Sequence, residues 1–162
     1  MVQVLSPEAR SGTPSGGFSS GEVADSAGMA EETSGSSVRW VGLAIDCEAA
    51  PPMARFYEQL LGFKPSEVGP RWAQLWDPQG GVHLNIQGDS TYVPPTWPEK
   101  PDEQAKMMHF EVRVDDLEAA VALAIEAGGT QAPWQPPDRN PERIRIMLDP
   151  AGHPLCLFLR GE

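Results

Sequence analysis

The stretch DPAG at residues 149–152 repeats an earlier DPQG at residues 77–80, and each copy stands just before a short strand-like run. The repeat extends upstream at nearly constant spacing. Matching Asp77 to Asp149 gives an offset of 149 − 77 = 72 residues, and matching Ile45 to Val114 gives 114 − 45 = 69 residues. Repetition of this kind indicates one folding unit used twice, so we expect any functional site to lie between the copies.

Both copies predict the same order of elements. A strand-like run at 41–46 or 110–115 is followed by a helix with apolar residues at i, i+3, i+4, i+7 and i+8. These residues are Met53, Phe56, Tyr57, Leu60 and Leu61 in the first helix, and Leu117, Ala120, Val121, Ala124 and Ile125 in the second. Three further strand-like runs follow each helix, at 64–68, 71–76 and 82–87, and at 130–135, 144–148 and 155–159. The sequence therefore predicts two βαβββ modules.

Signals at the helix ends agree with this order. The proline pair 51–52 suits the first helical turn, where a missing N–H group costs nothing, and Gly62 suits the end of that helix. Asp115, with Glu118 three residues later, resembles a capping box at the start of the second helix. The glycine pair 128–129 then predicts its end.

Composition predicts a single domain behind a tail. A chain of 162 residues, 40% of them hydrophobic, can bury one ordinary core. Residues 1–37 are rich in Gly, Ser and acidic residues without apolar periodicity, which predicts disorder. The domain is expected over 38–160, with modules 38–88 and 107–160. Their proline-rich linker, 89–106, is expected to be an extended connector, and it could also cap the site or support a homodimer interface.

The net charge of −11 argues against nucleic acid or anionic membrane as a partner, because both require a basic surface. It leaves room for a cationic small molecule. No basic start precedes an apolar segment, and no run approaches the ~20 apolar residues of a membrane span, so we predict a cytoplasmic protein. Cys47 and Cys156 are the only cysteines, and nothing in the sequence favours a disulfide between them.

Several of these features together resemble the vicinal oxygen chelate superfamily. They are the paired modules, FYEQLLGFK at 56–64, VDDLEAAV at 114–121, the glycine pair 128–129 and the closing DPAGHPLCL. The superfamily includes glyoxalases, bleomycin-resistance proteins and extradiol dioxygenases, and this chain is most similar to glyoxalase-like members. The resemblance covers about residues 38–159. It implies an α+β fold in which two tandem βαβββ modules form a half-open, eight-stranded mixed-sheet cup, with helices outside and the ligand inside.

Strand alternation predicts which side chains face that cup. If Phe110, Val112 and Val114 pack on the second helix, then His109, Glu111 and Arg113 face inward. The same rule buries Val82, Leu84 and Ile86 against the first helix. It turns Trp40, Gly42, Ala44, His83, Asn85, Gln87, Cys156 and Phe158 toward the cup.

The resemblance also implies where a divalent metal would lie in family enzymes, at one inward position on the first and last strand of each module. Those positions fall at Trp40, Asn85 (or its neighbour His83), His109 and Cys156, and only His109 is a usual ligand. Tryptophan cannot coordinate a metal, asparagine is a weak ligand, and cysteine replaces the expected carboxylate. We therefore expect no standard catalytic metal or other cofactor. The alternative is a zinc, nickel or iron ion held by His83, His109 and Cys156.

Two functions follow from these expectations. The first is a bleomycin-resistance-like protein that binds a small, cationic or aromatic molecule in the cup, with Trp40 as a stacking surface. The second is a lyase or dioxygenase-type enzyme that holds a metal through His109 with unconventional ligands, or uses His109 and Glu111 as acid and base. The residues expected to contact the ligand are Trp40, His83, Asn85, His109, Glu111, Arg113, Cys156 and Phe158.

Overall fold

The computed structural model describes residues 42–161. The predicted tail, 1–37, lies outside the described residues, as do Trp40 and Val41. The elements of the first module are β1 (Gly42–Cys47), α1 (Ala50–Leu61), β2 (Lys64–Val68), β3 (Trp72–Trp76) and β4 (His83–Gly88). Those of the second are β5 (Phe110–Val114), α2 (Leu117–Glu126), β6 (Thr130–Gln131), β7 (Ile144–Leu148) and β8 (Pro154–Leu159).

The two modules share one topology, which confirms the predicted repeat. Strand order is β1-β4-β3-β2 in the first sheet and β5-β8-β7-β6 in the second. The first and last strands of each module pair in parallel, and the remaining pairs are antiparallel. The result is an α+β domain of two tandem modules that form an open cup. Backbone hydrogen bonds join its eight strands as two four-stranded sheets.

Helix α1 begins and ends where the sequence predicts. The proline pair 51–52 lies in its first turn, and Gly62 ends it in the left-handed conformation with φ of 72°. Met53, Phe56 and Tyr57 are buried on the predicted face. Among the helices of residues 42–161, none combines the length and apolar character needed to cross a membrane.

Helix α2 ends as predicted, since Gly128 follows its C-cap with a φ of 103°, but it differs from its prediction at its start and on its buried face. Asp116, not Asp115, is the N-cap, because its carboxylate accepts the Ala119 N–H at 3.0 Å. Ile125 was expected on the buried face but is 52% exposed. The helix is short and buries only a narrow stripe of Leu117, Val121 and Ala124, which leaves residues to either side in solvent.

Two strand predictions need correction for local reasons. Strand β6 stops at Gln131, because Pro133 has no N–H with which to continue the ladder. The side chain of Gln135 supplies the hydrogen bonds that a longer β6 would make to β7. It donates to the Ile146 carbonyl at 2.9 Å and accepts the Ile146 N–H at 2.8 Å. Val82, expected to be buried, lies before the first residue of β4 and is 42% exposed.

One hydrophobic cluster joins both modules. Leu75, Leu84 and Ile86 of the first sheet and Leu155 and Leu157 of the second belong to the same buried core. The two helices also lie close together, and the ring of Phe56 approaches Gly129, where an added Cβ would come within 2.7 Å of it. The second module is thereby held against the first through the helix-covered faces, which leaves the opposite sheet faces open.

Candidate functional site

The open face of the second sheet carries the row of side chains that the alternation predicts. Glu111 on β5 lies opposite Cys156 on β8, and Cys156 in turn lies opposite Ile146 on β7. Their neighbours Leu155 and Leu157 are fully buried on the helix side. Parallel pairing of the first and last strands therefore places the polar residues of β5 directly beside those of β8.

These side chains line a half-open cavity of about 350 Å³, which we call the module-2 cavity. Its apolar walls are formed by Trp97, Pro136, Ile144, Ile146 and Phe158, and its polar groups are His109, Glu111, Arg139 and Cys156. The residues from β7 were missed in the sequence, because the run Ile146-Met147-Leu148 is continuously apolar and gives no clean alternation.

The polar side of the cavity contains one loose acid–base pair. His109 Nε2 lies 3.7 Å from Glu111 Oε1, a distance too long for a hydrogen bond. Beside it, burial raises the pKa of the Cys156 thiol, and the nearby Glu111 carboxylate raises it further. The thiolate is the nucleophilic and metal-binding form of cysteine, so Cys156 is a weak nucleophile and a weak ligand at neutral pH.

The inter-module linker, residues 89–106, contributes Trp97 to the wall of this cavity. The indole N–H of Trp97 donates to the Trp134 carbonyl at 3.3 Å, and the two indole rings meet edge to face with centroids 5.7 Å apart. Lys106, which also pairs with Glu99, lies with its Nζ 4.7 Å from the Trp97 ring centroid. The linker thus contributes to the site. The feature of the sequence that could have indicated this contribution is an aromatic residue inside a long proline-rich connection.

The predicted site residues separate into distinct groups. The module-2 cavity brings together His109, Glu111, Cys156 and Phe158. Arg113 lies on the same strand but is exposed and does not line the cavity. His83 and Asn85 lie on β4 of the other sheet, and neither lines this cavity.

On β4, the side chain of Asn85 is already engaged. Its Oδ1 accepts a 3.1 Å hydrogen bond from Gln74 Nε2 on the neighbouring strand. On the neighbouring strand β1, Gly42 lies opposite His83 and Ala44 lies opposite Asn85. Because glycine has no side chain and alanine only a methyl group, β1 adds almost nothing to the open face of the first sheet. The open face of the first sheet therefore offers an amide pair and the half-exposed Trp72 and Trp76, which lie on β3.

The donor set does not fit the metal that the family resemblance implies. Within residues 42–161, no three His, Cys, Asp or Glu side chains lie together as a metal site would require. The amide oxygen of Asn85 is committed to Gln74, and the thiol of Cys156 resists ionisation. The alternative set of His83, His109 and Cys156 is likewise not assembled among these residues.

Comparison with known proteins agrees with the architecture. The model of a family described as glyoxalase-like domain matches residues 42–158. A glyoxalase/bleomycin resistance protein/dioxygenase family enzyme from Burkholderia phytofirmans has a TM-score of 0.52 at 18% identity, covering 72% of this chain and 94% of its own. A glyoxalase family protein from Enterococcus faecalis has a TM-score of 0.52 at 23% identity, covering 72% and 94%. A glyoxalase/bleomycin resistance protein from Albidiferax ferrireducens has a TM-score of 0.50 at 16% identity, covering 75% and 98%. No curated protein matches.

Proposed function

Because the chain belongs to the glyoxalase-like domain family of the vicinal oxygen chelate superfamily, we propose that it binds a small molecule in the module-2 cavity without a standard catalytic metal. The observation that carries this proposal is the convergence of His109, Glu111, Cys156 and Phe158 on one cavity that Trp97 also lines. Binding or sequestration, as in a bleomycin-resistance protein, requires such a cavity and no metal.

The dimensions and lining of the cavity indicate the kind of ligand. A volume of about 350 Å³ lies at the lower end of the range for small-molecule pockets. Trp97 and Phe158 supply aromatic surfaces, which favour a planar ligand. His109 and Glu111 supply hydrogen-bonding groups at the polar side. Glu111 and Arg139 carry opposite charges, which favours a ligand of no net charge, or a cationic group bound at Glu111 and away from Arg139.

Tryptophan fluorescence can test this proposal. We would screen planar, neutral and cationic aromatic compounds against the full-length chain and then measure affinity in Trp97→Phe, Phe158→Ala and His109→Ala. Each variant should weaken binding about tenfold, which corresponds to about 1.4 kcal/mol. Trp72→Phe and Trp76→Phe are matched controls, since both side chains lie on the first sheet. Hits that lose affinity only in these controls, or in none of the variants, would place the binding site elsewhere.

The distance between His109 and Glu111 favours a second candidate function, in which the protein transfers a proton on the bound ligand without a metal. The two side chains lie 3.7 Å apart at the polar side of the same cavity, so one could accept a proton while the other donates one. Incubating the hits in D₂O and following C–H exchange by NMR would test this candidate. Exchange that persists unchanged in both His109→Gln and Glu111→Gln would rule it out.

A further inference from the structure

A chain of hydrogen bonds connects the linker to the DPAG turn, residues 149–152, away from the module-2 cavity. It starts at Asp149, which is only 4% exposed. Its Oδ2 accepts from the Tyr57 hydroxyl at 2.8 Å, and its Oδ1 accepts from the backbone N–H groups of Ala151 and His153 at 2.9 and 3.0 Å. His153 Nδ1 lies 3.0 Å from Oδ2. A carboxylate that receives all these donors acts only as an acceptor, so Nδ1 must donate.

The other ring nitrogen of His153 faces the linker. Its Nε2 lies 3.1 Å from the hydroxyl oxygen of Tyr92, and that hydroxyl donates to the Ala151 carbonyl at 2.9 Å. A phenol has one proton to donate. While Tyr92 donates to Ala151, its oxygen can only accept from His153, so Nε2 must carry a hydrogen as well.

The imidazolium form of His153 therefore satisfies every partner at once. Nδ1–H donates to Asp149, Nε2–H donates to Tyr92, and Tyr92 donates to Ala151. A neutral ring has one N–H and loses one of these bonds: either Nδ1 faces the carboxylate without a proton, or Tyr92 turns its proton to Nε2 and the Ala151 carbonyl loses its donor.

We propose that Asp149, His153 and Tyr92 form a latch that fastens the linker to the second module while His153 is protonated, and that loosens when His153 loses its proton. Charged and titratable groups of several elements lie around His153. Asp46 and Asp89 line one cavity with His153, where Lys106 is the opposing charge. The neutral Tyr57 lies behind Asp149, and His109 lines a small apolar cavity with His153.

The latch has a consequence for the linker wall of the module-2 cavity. Tyr92 and Trp97 belong to the same linker, and the Thr96 N–H donates to the Gln104 carbonyl at 2.7 Å, which closes residues 96–104 into a loop that contains Trp97 and begins four residues after Tyr92. Loss of one hydrogen bond of the latch weakens the attachment of the chain that leads into this loop, so Trp97 is held less firmly against the cavity. This inference goes beyond the proposed function and does not depend on any ligand, because the motion of the linker can be measured in the free protein.

Hydrogen exchange of the full chain tests the latch. Amide exchange in the linker would be measured at about pH 5.5 and about pH 8.5, on either side of the usual histidine titration, and corrected for the intrinsic pH dependence of exchange. We expect the corrected linker rate to rise about fivefold at the higher pH, the equivalent of one ordinary hydrogen bond. Amides of β8 serve as an internal control for global unfolding.

Three variants make the result specific. Tyr92→Phe, which keeps the ring, should exchange fast at both pH values, and His153→Gln should lose the pH response. His83→Gln changes a histidine on β4 of the first sheet and should retain it. An equal or slower corrected rate in the native protein at the higher pH would overturn the latch. A pH response that survives in His153→Gln, or that disappears in His83→Gln, would also overturn it.

Discussion

The hydroxyl of Tyr57 in helix α1 donates a 2.8 Å hydrogen bond to the carboxylate of Asp149, 92 residues later in the chain. Both residues are buried. In the first copy of the turn, Asp77 accepts a bond from the Gln79 N–H, the equivalent of the bond that Asp149 accepts from Ala151. The two copies of the DPxG turn therefore share this bond, and the aspartate of the second copy has the additional role of joining the two modules.

Replacing Tyr57 with phenylalanine should lower the free energy of unfolding by about 1.5–3 kcal/mol. The variant keeps the ring that packs on Phe110 at a centroid distance of 5.2 Å but removes a donor from a buried carboxylate. Urea denaturation measures the change. Tyr92→Phe, compared at about pH 8.5 where the latch is expected to be loosened, is the matched control, and we expect it to cost only about 0.5–1.5 kcal/mol because its hydroxyl then has only neutral partners. Equal losses in the two variants would contradict a special role for Asp149.

Stability should fall in alkaline solution. Burial, followed by the charge of Asp149, raises the pKa of Tyr57 well above its ordinary value of 10.0. Burial also raises the pKa of Cys47 from 9.0 to about 11. A raised pKa means that the folded state favours the protonated side chain. The contribution of that side chain to the free energy of unfolding is therefore complete below its ordinary pKa, and it is lost as the pH rises toward its pKa in the folded protein.

The melting temperature should therefore be nearly constant just below about pH 9 and decline above it. Tyr57→Phe and Cys47→Ala should each show a shallower decline than the native protein, even if they start from a lower melting temperature. Thermal unfolding followed by circular dichroism at several pH values checks this. A decline of unchanged steepness in both variants would assign the alkaline sensitivity to other groups.

Gly129→Ala should destabilise the contact between the modules. An added Cβ would lie 2.7 Å from Phe56 Cε2 and 2.8 Å from the Leu148 carbonyl oxygen. Overpacking of this kind costs about 1–3 kcal/mol, and a backbone carbonyl cannot move away easily. Gly69→Ala is the control, since its Cβ would meet only the Trp72 carbonyl, at 3.5 Å, and should change stability by less than about 0.5 kcal/mol. Denaturant titration of both variants would show whether the crowding is real.

The sequence predicted the fold well because its signals are local and repeated. The apolar spacing of Met53, Phe56 and Tyr57 and the stop at Gly62 act within one helix, and the repeat supplied a second, independent example of each element. The errors at Asp115 and Ile125 arise where two adjacent residues could fill the same position: Asp115 or Asp116 as the N-cap, and Ala124 or Ile125 on the buried face. Only the position of the helix on its sheet decides which residue of each pair does so.

The candidate site was less predictable, because its residues come from separate elements. Alternation on β5 and β8 correctly grouped Glu111 with Cys156, since strand pairing is regular. It could not show that Trp97 lies against Trp134, 37 residues later, because a proline-rich linker has no periodicity from which to infer a contact. The pairing of Tyr57 with Asp149 was equally hidden, since it depends on how the two modules pack.

The purified protein should carry well under one divalent metal per chain. Within residues 42–161, His109 has no pair of further donors around it, and the raised pKa of Cys156 keeps that thiol protonated at neutral pH. Dialysis against a chelator should therefore change neither the melting temperature nor the affinity for compounds that bind the module-2 cavity. Elemental analysis with His109→Ala, and His83→Ala as its control, makes the measurement specific. A tightly held ion close to one per chain, lost in His109→Ala and kept in His83→Ala, would replace the metal-free binding protein with a metal-dependent one.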